Sequence, residues 1–213
     1  HVKTILESPS NGVIRKMFEE GAMLKQKYGE DNVFDFSIGN PDLDPPKEVQ
    51  AAIEKYSRET VKGAHGYMPN AGYPFAREAM AKKTEKEQGI PVDFSNVVMC
   101  VGAGCALNVA LKALINPGDE VIVPCPYFTE YDHYIHNHNG EIRRVKTKTD
   151  FSLDTDQIKE ALNEKTAAVI INSPNNPSGK IYSDEDIEKL AEVLKEHGKK
   201  TGRYPYIISD EPY

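Results

Sequence analysis

The amino-acid sequence predicts an α/β domain, a mostly parallel sheet with helices on both faces. Three observations carry that expectation. Between residues 97 and 210, short apolar runs alternate with stretches of helical length and periodicity. Runs such as Ala167-Ala168-Val169-Ile170-Ile171 are continuous rather than alternating, as in strands buried on both faces. Several runs end in loops of small, Pro or Asn residues, which would gather at the sheet edge where such folds bind ligands.

The elements follow in order. Gly12 to Tyr28 carries a helix pattern with Val13, Met17, Leu24 and Tyr28 among its apolar positions. Val33-Phe34-Asp35-Phe36-Ser37-Ile38 alternates like a short strand, and Gly39-Asn40-Pro41-Asp42 turns it. Pro45-Pro46 opens a helix to about Val61, and a loop follows from Gly63 to Gly72. A charged helix runs from Pro74 to Gln88, closed by Gly89-Ile90-Pro91. Strands are then expected at 97–101, 120–124, 141–146, 167–171 and 206–210. The intervening helices are expected at 105–115, 128–139, 155–163 and 184–197, the last opened by Ser183 with Glu185-Asp186.

Composition bounds the function. The chain has 213 residues, 39% apolar and 28% charged, which suits one large globular domain or one plus a fraction. A net charge of −7 argues against a nucleic-acid partner. The basic run Arg143-Arg144-Val145-Lys146-Thr147-Lys148 alternates, as on the wet face of a strand. No apolar run approaches the roughly 20 residues of a membrane span, and no signal peptide is visible. Cys100, Cys105 and Cys125 are an odd number with no Cys-x-x-Cys pair, so reduced thiols and a cytoplasmic setting are expected.

Four features at strand ends carry the chemistry. Gly102-Ala103-Gly104-Cys105 opens a helix, where small residues, free N–H groups and the helix dipole suit an anion. Leu107 replaces the third glycine of a dinucleotide fingerprint, so a single phosphate fits better than a pyrophosphate. Tyr127 and Phe128 bring aromatics beside that turn, where a planar ligand would stack or where they simply fill the core. Ser173-Pro174-Asn175-Asn176-Pro177-Ser178-Gly179 is a turn stiffened by two prolines, and Asn176 can donate to a phenolate oxygen. Asp210 ends the last strand 34 residues beyond Asn176, about one βαβ unit, and can hold a ring nitrogen protonated. An anion cup, a stacking aromatic, a phenolate donor and a carboxylate describe a site for pyridoxal phosphate.

In six segments the chain resembles the amino-terminal half of class I/II aminotransferases, pyridoxal-phosphate-dependent enzymes of fold type I. The segments are Phe36–Asp42, Gly66–Gly72, Val101–Gly104, Pro126-Tyr127-Phe128, Asn175–Gly179 and Asp210-Glu211-Pro212-Tyr213. The likeness runs from about residue 10 to 213. It implies an N-terminal arm and part of a small domain at 1–45, then a cofactor-binding large domain at 46–213, incomplete at its C-terminus. It implies that Asn176 and Tyr213 bind the cofactor's phenolic oxygen, Asp210 its ring nitrogen and Phe128 its ring face. Gly102, Ala103 and Gly104, with Cys105 nearby, would hold the phosphate. Gly39, with Asn176, would meet the substrate, and Tyr67 would reach the phosphate of the other subunit of a homodimer.

The same resemblance places the Schiff-base lysine, and the arginines for the phosphate and substrate carboxylate, downstream of Tyr213. None of the lysines present sits in a matching motif; Lys180, at a helix entry, reads as solvated. The expectation is half of an enzyme about twice as long, completed by its missing C-terminal half or a second polypeptide. Its activity would be transamination of an aspartate-like or broader amino acid with a 2-oxo acid. A β-elimination lyase of the same fold and a non-catalytic binding module are the alternatives. His133, His136 and His138 raise a metal site, but no Cys or acidic residue completes a set, and a solvated helix face is the simpler reading.

Overall fold

A computed structural model describes residues 9–36, 39, 43–59, 62–63 and 65–213, with side chains from residue 16 onward. The chain divides into two compact units, His1–Tyr67 and Met68–Tyr213.

The first unit contains helix α1 (Pro9–Tyr28) and helix α2 (Lys47–Arg58). A short 3-10 turn, Glu30–Asn32, follows α1. The expected strand at 33–38 does not form over Val33–Phe36, and Ser37, Ile38 and Asn40–Asp42 of the following turn lie outside the described residues. Val61, the expected end of α2, also lies outside them.

The second unit opens with α3 (Pro74–Gln88), as predicted, with proline in its first turn and Gly89 at its end in the left-handed region. Four strands form one sheet: β1 (Glu120–Cys125), β2 (Glu141–Lys146), β3 (Thr166–Asn172) and β4 (Tyr206–Asp210). Their order is β2-β1-β3-β4 and every pairing is parallel. The linking helices are α4 (Gly102–Leu114), α5 (Tyr131–His136), α6 (Thr155–Ala161) and α7 (Asp184–Thr201).

The strand side chains alternate between two cores. Val121, Val123, Ala168 and Ile170 pack with Leu107 and Leu111 of α4 and Tyr131 and Ile135 of α5. Ile122, Val145, Val169 and Ile171 meet Ile158 of α6 and Leu190 and Leu194 of α7 on the other face. Burial on both sides explains why all seven residues of β3 are buried and why its apolar run is unbroken. Helices therefore cover both faces, as the sequence predicts.

Two further expectations fail locally, both in the second unit. Val97–Val101 is extended but joins no ladder among the described residues. Its backbone is held instead by Ala71, whose carbonyl accepts from Met99 N at 2.9 Å, and by Arg77, whose Nε donates to Val97 O at 2.7 Å. Its β-branched composition signals a strand, but a strand needs a neighbour. The helix expected from Phe128 starts only at Tyr131, and Phe128–Glu130 forms the turn that leads into it.

Candidate functional site

The carboxyl ends of β3 and β4 fix the site. Their register places Asn172 beside Asp210. Asn172 sits at the junction of two loops: its Nδ2 donates to Asp210 O at 2.8 Å, and its Oδ1 accepts from Asn176 N at 2.6 Å. One buried amide thus ties the Asn176 turn to the Asp210 strand end.

The turn closes on itself. Asn175 Oδ1 accepts from Ser178 N at 3.2 Å and from Ser178 Oγ at 2.8 Å, while Gly179 N donates to Asn175 O at 2.7 Å. Asn175 N donates to Lys180 O at 2.8 Å. Lys180 is not free in solvent as expected: its Nζ lies 2.9 Å from Asp150 Oδ2. Hydrogen bonds from Ser152, with Lys180 next in weight, hold the Asp150 carboxyl well below the usual range.

Asp210 is buried at 8% exposure. Its Oδ2 accepts from the Tyr131 hydroxyl at 2.5 Å, and Oδ1 has no donor among the described residues. Tyr131 is 1% exposed, and burial first, then the Asp210 carboxylate, pushes its phenol above the ordinary range. Its ring meets Phe128 edge-on at 5.6 Å and Tyr127 in a stacked arrangement at 6.4 Å. Tyr127 is itself clamped, donating to Asp132 Oδ1 at 2.8 Å and accepting from Arg144 Nε at 2.7 Å. Arg144, read from sequence as a wet strand residue, also reaches Asp132 Oδ2 at 2.7 Å. The aromatic loop is thereby tied to β2.

The third wall is the start of α4. The first N–H groups of a helix have no intrahelical partner, and no side chain caps them here, an arrangement that suits an anion. Gly102 begins it at φ 79°, a left-handed conformation suited to glycine. At Gly104 a Cβ would lie 2.8 Å from Tyr134 Oη, so glycine is what lets that phenol approach the helix start.

Together these elements enclose a cavity of about 280 Å³ lined by Ala103, Gly104, Leu107, Phe128, Tyr134, Asn172, Asn176, Asp210, Pro212 and Tyr213. The structure therefore brings together Ala103, Gly104, Phe128, Asn176, Asp210 and Tyr213 of the residues singled out from sequence. Gly102 and Cys105 flank the cavity along α4 without lining it, and Cys105 is exposed. Gly39 and Tyr67 lie in the first unit, both exposed. Sequence reasoning missed Tyr131, Tyr134 and Asn172. A signal was present: Phe128, Tyr131 and Tyr134 recur every third residue, the spacing of one helix face. Among the described residues, no group of three or more His, Cys, Asp or Glu is placed to hold a metal ion. None of the described helices is long and apolar enough to cross a membrane.

Comparison with known proteins gives the same picture. Residues 31–201 match the family model for aminotransferase class I and II. An aspartate aminotransferase of Pyrococcus abyssi is 36% identical over 212 residues, covering 98% of this chain and 50% of the relative. A probable aspartate aminotransferase of Methanocaldococcus jannaschii is 36% identical over 83% of this chain and 44% of its own length. The crystal structure of an amino transferase from Eubacterium rectale superposes with a TM-score of 0.92 at 36% identity, covering 100% of this chain and 54% of that one. An aspartate aminotransferase from Thermus thermophilus with maleate gives 0.80 at 32% identity, over 94% of this chain and 50% of that one. The chain thus spans about half the length of the relatives it matches. By sequence and by fold, it belongs to the class I and II aminotransferase family.

Proposed function

We propose that the cavity at the ends of β3 and β4 holds pyridoxal 5′-phosphate, and that the complete enzyme transfers the amino group of an amino acid to a 2-oxo acid. The observation that carries this reading is the buried Asp210 carboxylate, which has one oxygen taken by Tyr131 and the other without a donor among the described residues. A buried carboxylate left half-satisfied at a cavity wall fits a cationic N–H, and a protonated pyridine supplies one. The other donors fit the same molecule. The uncapped start of α4 suits its phosphate, the Asn176 amide and Tyr213 hydroxyl suit its phenolic oxygen, and Phe128 and Leu107 offer apolar contact to its ring.

When bound, pyridoxal phosphate supplies an electron sink for the pair left on the substrate carbon after proton loss. The protein's part is to tune and hold. Asp210 keeps the ring nitrogen protonated; Asn176 and Tyr213 stabilise negative charge on the phenolic oxygen. The N–H groups of residues 102–105 anchor the phosphate. By family position, Gly39 lies against the substrate carboxylate, and Tyr67 reaches the phosphate of a partner subunit in a cytoplasmic homodimer. Residues 1–45 contribute to the arm and small domain, and 46–213 to the cofactor-binding domain.

An aspartate-like substrate is supported by relatives named aspartate aminotransferase and by the Thermus thermophilus enzyme with maleate, a four-carbon dicarboxylate. Relatives named aspartate/prephenate aminotransferase widen that range. The test uses the full-length protein with added pyridoxal phosphate. Retention of the cofactor through gel filtration, with transfer from aspartate to 2-oxoglutarate, is the expected result. Failure to retain cofactor would sink the reading.

A further inference from the structure

We propose that Arg144 is a positioning residue for Phe128: with Asp132 it clamps the Tyr127 hydroxyl, and so fixes the aromatic wall against which a bound cofactor's ring lies. The inference rests on the reading of the cavity as a pyridoxal phosphate site and deepens it.

Three side chains from three elements close one triangle of hydrogen bonds. Tyr127, in the loop after β1, donates to Asp132 Oδ1 at 2.8 Å and accepts from Arg144 Nε at 2.7 Å. Asp132, on α5, closes the triangle through Oδ2, which accepts from Arg144 Nη2 at 2.7 Å. The sheet delivers the guanidinium: Arg144 of β2 pairs with Val123 of β1, whose side chain packs toward α4 and α5. Arg144 itself does not line the cavity, but Phe128, the residue after the clamped tyrosine, does. The same end of β2 holds the loop a second time, since N and Oγ1 of Thr147 donate to Cys125 O at 3.2 and 2.7 Å. Phe128 is thus held between Tyr127 and Tyr131, whose N donates to its carbonyl at 3.1 Å and whose ring it meets at 87°.

The shape of the guanidinium is what makes this a clamp. An exposed ion pair alone contributes little, and the Arg144 side chain is 49% exposed. Here the planar fork places two different nitrogens on two different acceptors, which fixes direction as well as distance. A lysine carries the same charge but has one nitrogen to serve both. The Tyr127 hydroxyl both donates and accepts, and burial pushes its phenol up, so it keeps the proton it gives to Asp132. Releasing Tyr127 frees the loop one residue before Phe128. An aromatic wall that moves holds a planar ring less firmly and in a less defined orientation.

The test uses the full-length protein with added pyridoxal phosphate. Absorbance titration gives the affinity, and circular dichroism of the bound cofactor's visible band reports how firmly its ring is oriented. Arg144→Met and Tyr127→Phe should each weaken binding roughly threefold to tenfold and reduce the dichroism per bound cofactor. The double variant should do no worse than either single one, because both break the same triangle. Arg144→Lys should restore part of both signals. Arg143→Met, which removes the neighbouring charge and leaves the triangle intact, should match wild type. A structural role alone would lower the melting temperature and leave the dichroism per bound cofactor unchanged, which overturns the inference. Additive losses in the double variant, or the same loss in Arg143→Met, overturn it too, and in each case the parent reading stands. If Arg144→Met does not fold, Tyr127→Phe, which keeps the aromatic packing, decides alone. A wild-type protein that retains no cofactor overturns both readings.

Discussion

Gly104→Ala tests whether the first turn of α4 and Tyr134 form one wall of the cavity proposed to hold pyridoxal phosphate. A Cβ at this position would lie 2.8 Å from Tyr134 Oη and 3.3 Å from Cζ, whereas ordinary contact begins at 3.4 Å. The phenol must therefore retreat by about 0.6 Å, or the helix start must shift. Overpacking of this kind costs ~1–3 kcal/mol. Alanine's helix propensity offsets about 1 kcal/mol of it. Stability should thus fall by no more than about 2 kcal/mol. Cofactor affinity has no such offset, because the methyl displaces the wall beside the N–H groups that would hold the phosphate. A tenfold loss, about 1.4 kcal/mol, is expected. Tyr134→Phe removes the most closely approached atom, so the double variant should regain most of the affinity, with a coupling energy of about 1 kcal/mol. Absorbance titration of the full-length protein with pyridoxal phosphate, alongside thermal melts, measures both quantities. An equal loss in the single and double variants would refute the steric argument.

The remaining expectations concern the buried polar groups. Asp210→Ala leaves the Tyr131 hydroxyl buried without its acceptor and should destabilise the protein by ~1–3 kcal/mol in urea unfolding. Asp210→Asn keeps an acceptor oxygen and should unfold near wild type, yet lose most transferase activity because the charge at the ring nitrogen is gone. Asn172→Leu strands both Asn176 N and Asp210 O, so a loss of about 2–4 kcal/mol together with weaker cofactor binding is expected; near-wild-type stability would count against Asn172 as the tie between the loops. Tyr182 is buried, and desolvation pushes its phenol up to about 12. A folded-state value above the unfolded 10 means its contribution is intact below pH 10 and lost as pH rises toward 12. Tyr182→Phe should therefore flatten alkaline unfolding across that window by at most about 3 kcal/mol, and an unchanged pH profile would count against it.

Legibility from sequence followed locality. The bounds of α3, β2 and β4 are as the residues predict, because proline, glycine, apolar runs and apolar/polar alternation act within a few positions. Val97–Val101 has the composition of a strand but no neighbour alongside, and pairing is a property of two segments. At the site, Asp210, Asn176 and Gly104 were readable because each sits where an element begins or ends, and loops there have few structural reasons for such residues. Tyr131 was not, because a tyrosine in a helix usually packs in the core, and its acceptor lies 79 residues away. Asn172 was hidden in the same way, as the last residue of an apolar strand whose two partners come from different loops.

The two ends of the sheet handle their carboxylates differently. At the amino end the buried charges are matched within the chain. Asp119 pairs with Arg203 at 2.6 Å and accepts from Asn116 N at 2.8 Å, while Glu120 accepts from Asn163 at 2.8 Å. Hydrogen bonds from Arg203 hold the Asp119 carboxyl below its usual range, so its contribution is present above the unfolded value near 3.8 and lost below it. These pairs orient the strands and leave nothing for a ligand. At the carboxyl end, Asp210 keeps an oxygen without a donor among the described residues, and the long helix α4 starts without a side-chain cap. Its counterpart across the sheet, α7, is closed by the Ser183–Asp186 capping box. The half-bonded carboxylate and the uncapped helix start both lie at the carboxyl edge, the edge at which open parallel sheets bind ligands. A helix start suited to an anion and a carboxylate at the wall of the same cavity are the groups that the proposed pyridoxal phosphate would use.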